Sequence, residues 1–437
     1  MAVPQIEMLD TVWIQTVNPF SSDHLPPRPG ALLPVYFAMM TMGMGLSMMG
    51  ALLPMLGREL GLDQITFPLP FTEATWQPRE LAITILSAMS ALVFFFATPI
   101  WGRRSDRVGR RSTILTGMVG YGAGAFVLCV VVFLGLAGTI QGVTLFFVLL
   151  AVRTVQIFLM SATHPAASAY IVDSVPVQNR VRDMSRVGAA NQLGTMIGPA
   201  FAWFAAISFL APLYLQAALV CLGALIVWRI LPTTNQHLQC SVVPRRLRYL
   251  DPRFRVYLFM NLVLFTLLGM VQQTLGFYFQ DMLQIGRIEA AQLFSVAMMC
   301  SAASTLFVQL VLVQRFEGSP LKLLRFGLPM CFFAFLLLAN AERAVTLYSG
   351  LLVLGAGMGL AGPGIGVTAT FSVGADEQGG LAGLLASSAG LGFVLGPLLG
   401  GYIYRFDMTY PSWASAVLVV PAILLTWRMT PPREAGD

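Results

Sequence analysis

The chain has 437 residues, of which 57% are hydrophobic and only 11% charged, and its formal net charge is +6. Soluble domains carry about a quarter charged residues, so a soluble globular protein is excluded. Apolar runs of about 18 residues or more recur along the whole length, and the basic residues are scattered among the connections, which argues against a nucleic-acid-binding module.

Residues 1–30 are polar and proline-bearing, with no basic stretch leading into a short apolar core; they read as a tail, not as a cleaved signal peptide. Twelve spans are predicted, at roughly 31–56, 80–102, 112–135, 142–171, 187–209, 211–231, 256–281, 290–314, 322–340, 344–370, 380–403 and 411–430. An even count puts both chain ends on one side. Of the 26 basic residues, 25 are arginine and one is Lys322. The tails and even-numbered connections hold twenty, the odd-numbered connections hold five, and Arg153 lies within a span. The positive-inside rule then places both termini in the cytoplasm. The expected class is an all-α membrane protein of twelve transmembrane helices in two six-helix bundles, residues 31–231 and 256–430. A cytoplasmic linker at 232–255 joins them, and a tail follows at 431–437.

Span 1 carries Met39, Met42, Met44, Met48 and Met49 among Gly43, Gly45 and Gly50. Methionines make a soft wall that accepts varied ligands, although plain packing against lipid is the simpler reading. Residues 57–79 form an unusually long connection rich in Pro and Thr. Between spans 2 and 3 runs GRRSDRVGRRSTI, Gly102–Ile114. Glycine permits a tight turn there, and Asp106 within the arginines has local partners and the free N–H groups of the next helix to bond.

This stretch closely resembles the signature loop G-x-L-x-D-R-x-G-R-R/K of the major facilitator superfamily. Gly102, Asp106, Arg107, Gly109, Arg110 and Arg111 match it in register, and Arg104 stands where the family has leucine. A generic arginine-rich loop would not reproduce six positions. The resemblance implies the major facilitator fold, with two halves rocking about a cavity at the membrane midplane.

Span 4 holds Arg153, a cation near mid-membrane whose burial costs from ~3 to more than 10 kcal/mol and therefore points to function. Arg153 and Gln156 resemble the family's R-x-x-Q-G motif, with Ile157 in place of the glycine; in proton-driven exporters of the family that arginine is implicated in proton transfer. A structural arginine bonded to backbone carbonyls is the plainer alternative. His164, eleven residues on, lies about 20° around an ideal helix, on one stripe with Arg153, Gln156 and Met160. Histidine exchanges protons near neutral pH, unless it is simply held neutral beside Pro165. Asp173, in D-x-x-P-x-x-x-R, resembles the acid at the family's helix-4 end. It is expected to pair with Arg107 or Arg110 and to hold the cytoplasmic side shut.

In span 5, Asn191, Thr195 and Gly198 share one helical face. Gly194, Gly198 and Pro199 match the core of the family's helix-5 motif G-x-x-x-G-P-x-x-G-G, seen mainly in exporters, while Ala202 and Trp203 replace its final glycines. Helix packing alone also explains small residues at this spacing. The pattern returns in span 11 at Gly392, Gly396 and Pro397, which supports a duplication. Span 7 offers Asn261, Gln272, Gln273 and Gln280 as hydrogen-bonding groups for a polar substrate.

Cys129, Cys221, Cys300 and Cys331 lie in apolar runs and Cys240 in the linker; none forms C-x-x-C, so no metal site or disulfide is expected. The 20 acidic residues fall in connections or at span ends, which leaves Arg153 as the fixed charge of the cavity and favours neutral, zwitterionic or anionic cargo. The proton carrier is then His164 or a carboxylate such as Glu80 or Asp281. The expected function is export of a small organic molecule (a drug, metabolite or siderophore) across a bacterial inner membrane by proton antiport. The protein would act as a monomer, with no cofactor beyond the proton gradient. Proton-coupled uptake of an organic acid or sugar, and a non-transporting receptor or lipid-handling protein, are the alternatives. No nucleotide loop or nucleophile–base set points to an enzyme.

Overall fold

The structure is a computed structural model, described for residues 32–68, 75–175, 177–232, 248–316, 318–374 and 377–429. The expected tails, Cys240 and most of the linker lie outside these residues. The helices are α1 (Leu33–Glu59), α2 (Glu80–Val108), α3 (Arg110–Leu136), α4 (Gly142–Met160), α5 (Thr163–Ser174), α6 (Val177–Ile197) and α7 (Ala211–Ile230) in the first half. The second half has α8 (Arg255–Leu283), α9 (Arg287–Phe307), α10 (Pro320–Ala339), α11 (Ala344–Thr370), α12 (Gln378–Tyr404) and α13 (Tyr410–Arg428). Helices are what lipid allows, because each backbone polar group must be satisfied within its own segment.

Together these make twelve spans, and two differ from expectation. The fourth is not one helix. Pro165 has no N–H to give to the carbonyl of Ser161, so the helix tightens at Ser161–Ala162, where the Ala162 N–H bonds to Leu159, three residues back. The fifth begins ten residues earlier than expected, at Val177. Its first turns carry Arg180, Arg182, Asp183 and Arg186, so hydropathy alone hides its start; the other eleven spans are long and apolar enough to cross a membrane. At Gly198–Ala206 it narrows to a 3-10 helix, beginning where Pro199 interrupts the bonding ladder.

The 57–79 connection holds a short 3-10 turn (Leu62–Gln64) and a two-residue antiparallel ladder, β1 (Phe67–Pro68) with β2 (Thr75–Trp76). Phe67 packs edge-on against Phe146 and Phe147 at 6.0 and 6.4 Å, so the connection lies on the outer end of α4.

Two helices are central. Protein encloses 83% of the apolar window of α1 and 67% of that of α8, against 17–50% for the other nine apolar spans. The span-1 methionines are therefore core: Met39, Met42, Met44, Met48 and Met49 are all buried, facing neither lipid nor an open wall. The end of the molecule carrying Arg103–Arg111 is called the arginine-rich side and the opposite end the outer side. Toward the outer side one apolar core runs through both halves, including Met48, Leu52 and Met55 of α1 and Leu267, Met270 and Phe277 of α8. Toward the arginine-rich side the first half has its own cluster, around Val35, Ile114, Ile171 and Val227. The second half has another, at Phe254, Leu258, Ala369 and Leu381. The halves are thus joined on the outer side.

Candidate transport site

The mid-depth site is built on a rail of glycines. Gly117, Gly120 and Gly124 of α3 let Thr163, Leu159 and Gln156 approach so closely that an added Cβ would stand 2.3–2.8 Å from their side chains. Gln156, pressed on Gly124, accepts a 2.8 Å hydrogen bond from Arg153, and Ser90 of α2 takes a second, long one at 3.4 Å. The Arg153 Nε has no partner, and the residue is 5% exposed. Around it stand Met49, Leu53, Leu86, Leu128 and Leu149. Arg153 therefore sits inside the first half, with neutral partners only, and not in a cavity between the halves. The expectation that its charge faces cargo does not hold in this state.

His164 lies beyond the tightened turn; it is exposed, with its ring edge-on to Phe94 at 6.3 Å, whereas Arg153 is buried.

The signature loop is a single residue long. Gly109, at φ 100°, is all that lies between α2 and α3, and that left-handed region is where glycine is favoured. Arg110 donates to Asp106, to Ser105 (2.6 Å) and to Asp173 at the end of α5 (2.8 Å). Arg111 donates to the Trp228 carbonyl, Arg107 is exposed, and Gly102 lies near Pro165. The Arg110–Asp173 pair is made while the outer ends are joined, and both members belong to the first half. It braces that half and does not span the two.

The helix-5 residues serve a close crossing. An added Cβ on Gly194 would stand 2.0 Å from the Met40 carbonyl oxygen, and one on Gly198 would stand 2.1 Å from Ser47. Pro199 is buried beside them. Asn191 donates to the Met39 carbonyl of α1 at 3.3 Å, which ties it to this crossing and away from cargo. The second half repeats the arrangement: Gly392 and Gly396 of α12 lie against Thr266 of α8, and Asn261 bonds Leu385 and Ser388. On α8, Gln272, Gln273, Gly276 and Gln280 share a face. Gly276 meets Pro54 of α1, so this face looks at the first half. Gln272 is half-buried, and the buried Gln273 amide nitrogen is unpartnered.

One cluster was not assembled from the sequence. At the outer end Arg58 of α1 donates to both carboxylate oxygens of Asp281 of α8, at 2.5 and 2.7 Å, and to Gln280 and Glu80 at 2.9 and 3.0 Å. The Tyr404 hydroxyl of α12 donates to Asp281 at 2.6 Å, and the guanidinium lies 4.8 Å from the Phe277 ring centroid. Arg287 of α9 pairs with Glu59 at 2.6 Å. Nearby Asp63, in the connection, has one buried carboxylate oxygen without a partner, and burial pushes its pKa up. Among the described residues, both ion pairs that cross between halves, Arg58–Asp281 and Arg287–Glu59, lie here. The sequence signal is faint, because charges at span ends are ordinary.

Among known proteins, the family model described as Major Facilitator Superfamily matches residues 35–388. Multidrug resistance protein 1 of Bacillus subtilis (strain 168) is 23% identical over 362 residues, covering 79% of this chain and 86% of that protein. Tetracycline resistance protein, class G, of Vibrio anguillarum is 27% identical, covering 78% and 84%. A bacterial homolog of the human lysosomal transporter Spinster, solved in an inward-facing and occupied conformation, superposes with a TM-score of 0.68 at 14% identity, over 93% of this chain and 98% of that one.

Proposed function

The chain belongs to the major facilitator superfamily and is a multi-pass membrane transporter, and we propose that it exports small organic molecules from a bacterial cytoplasm in exchange for protons. The arginine-rich side faces the cytoplasm in this reading, as the positive-inside count requires. Similarity to a multidrug and a tetracycline resistance protein over more than three quarters of the chain supports export.

The observation that carries the proposal is the outer cluster. Arg58 and Asp281 hold the two halves together where external protons arrive, and Glu80 shares the same guanidinium. A proton on Asp281 removes the charge that holds Arg58, and the outer ends part. For antiport the proton then passes inward as the outer ends close, and its release to the cytoplasm leaves Asp281 charged again to hold Arg58. Cargo is neutral or zwitterionic: the face of α8 turned to the first half offers amides, and the cation Arg153 is enclosed. His164 is in no ion pair among the described residues, whereas the outer carboxylates hold the two halves together, which favours them as the proton carrier.

The test uses purified protein in liposomes with a pH-sensitive dye inside. Under an imposed proton gradient, a panel of neutral, zwitterionic, anionic and cationic compounds is added to wild type and to the Asp281→Asn and His164→Ala variants. Compound-triggered proton release that survives His164→Ala and is lost in Asp281→Asn is expected. Compound flux without proton movement would make the protein a uniporter and end the antiport reading.

A further inference from the structure

The second half repeats the first with an omission at the arginine-rich side. In the first half Arg110 closes onto Asp173. The corresponding connection, between α9 and α10, carries Arg315, and the first turns of α10 carry Lys322 and Arg325. Arg325 is bonded to the carbonyls of Thr426 and Met429 and lies over Trp427. Arg315 is exposed and forms no ion pair with any described residue.

Beside Arg315 lies a cavity of about 380 Å3, walled by Leu312, Phe316, Leu323, Phe326 and Leu360. The last turns of the eighth span, Val308–Val313, which border it, are π-helical. Leu312 and Phe326 are 50% and 64% exposed, so the cavity opens on the lipid-facing surface. Leu360 stands ten residues inside the end of α11 at Thr370, about 15 Å along the axis. That distance is about one leaflet's share of the hydrocarbon core. The cavity therefore has at headgroup depth a cation with no ion pair among the described residues, and apolar walls running inward from it.

We propose that this cavity is a binding site for an anionic phospholipid, with the phosphate on Arg315 and one acyl chain against Leu312, Phe326 and Leu360. Charge and depth choose the occupant. A soluble anion would leave the apolar walls uncovered, and a zwitterionic lipid carries a cation of its own against the arginine. The site is separate from the outer cluster and from the face of α8 that looks at the first half, so it stands whether or not the protein is an antiporter.

The experiment is native mass spectrometry of the full-length transporter, purified in mild detergent and offered phosphatidylglycerol and phosphatidylethanolamine of identical acyl chains. One arginine near the membrane surface is worth about 1 kcal/mol toward an anionic lipid, so wild type is expected to retain phosphatidylglycerol about fivefold over phosphatidylethanolamine. Arg315→Ala should bring the ratio to about one, and Arg315→Lys should keep most of it. Leu312→Trp, which fills the cavity, should lower retention of both lipids. Equal retention by wild type, or a preference that survives Arg315→Ala, would overturn the proposal. Displacement of phosphatidylglycerol by millimolar inorganic phosphate would also overturn it, by showing that the acyl chain contributes nothing.

Discussion

Arg58 and Asp281, 223 residues apart and in opposite halves, meet through two hydrogen bonds of 2.5 and 2.7 Å at the outer end of the molecule. Breaking a fully buried pair costs about 3–5 kcal/mol; because the Asp281 side chain is 33% exposed, about 2 kcal/mol is the fitting figure here. Asp281→Asn, which mimics a bound proton, should shift the balance toward parted outer ends by about thirtyfold. Distances between spin labels on the outer ends of α1 and α8 would read it. An unchanged distance distribution would remove this pair from the gating of the halves.

Asp63 gives the outer cluster a pH signature. Burial raises its pKa, so the native chain keeps this proton to a higher pH than the unfolded chain does. Within that window the native state binds more protons, and stability falls as pH rises through it, from the ordinary carboxylate range upward. Asp63→Asn should remove this loss and flatten the melting temperature against pH. Parallel profiles for variant and wild type would mean that Asp63 is well solvated.

Arg153 is expected to trade stability for function. Replacing a buried charge that has only neutral partners by a chain of similar volume removes a desolvation cost, so Arg153→Met should raise stability by about 1–2 kcal/mol and stop transport. Gln156→Leu takes away the main acceptor and should cost about 1.5–3 kcal/mol. Thermal melts of both proteins in detergent would separate the two. A destabilised Arg153→Met would make the arginine a structural residue.

The glycine crossings predict a sharp contrast. A methyl at Gly194 meets a backbone oxygen at 2.0 Å and one at Gly396 meets another at 2.5 Å, whereas nothing lies within 4 Å of a methyl at Gly188. Gly194→Ala and Gly396→Ala should each lose about 1–3 kcal/mol or more through overpacking, and Gly188→Ala should be silent. Yield and melting temperature after purification measure this, and equal behaviour of the three would contradict the crossing geometry.

The fold was legible because its signals are local. Apolar runs of bilayer length mark the spans, and only the start of the fifth is missed, because its charged first turns conceal it from hydropathy. Gly109 and Arg110 could be recognised in register because the loop places them side by side. The site was less legible. Asn191 and Arg153 stand out in the sequence as polar groups within spans, but which way they face depends on the glycine rail of α3 and on the crossing with α1. The outer cluster brings together Arg58, Glu80, Asp281 and Tyr404 from four helices, and no spacing within the chain foretells that meeting.

Gly109 has a mechanical consequence. One residue between α2 and α3 leaves no slack, so the two helices form a single bent lever. One arm, α2, holds Thr84 and Phe95 against Gly401 and Gly390 of the opposite half; the other, α3, carries the glycines beneath Gln156. Any tilt of α2 that parts the halves therefore pulls on the support of the buried arginine. Two residues inserted after Gly109 would uncouple the arms, and transport should then fail in a protein that still folds.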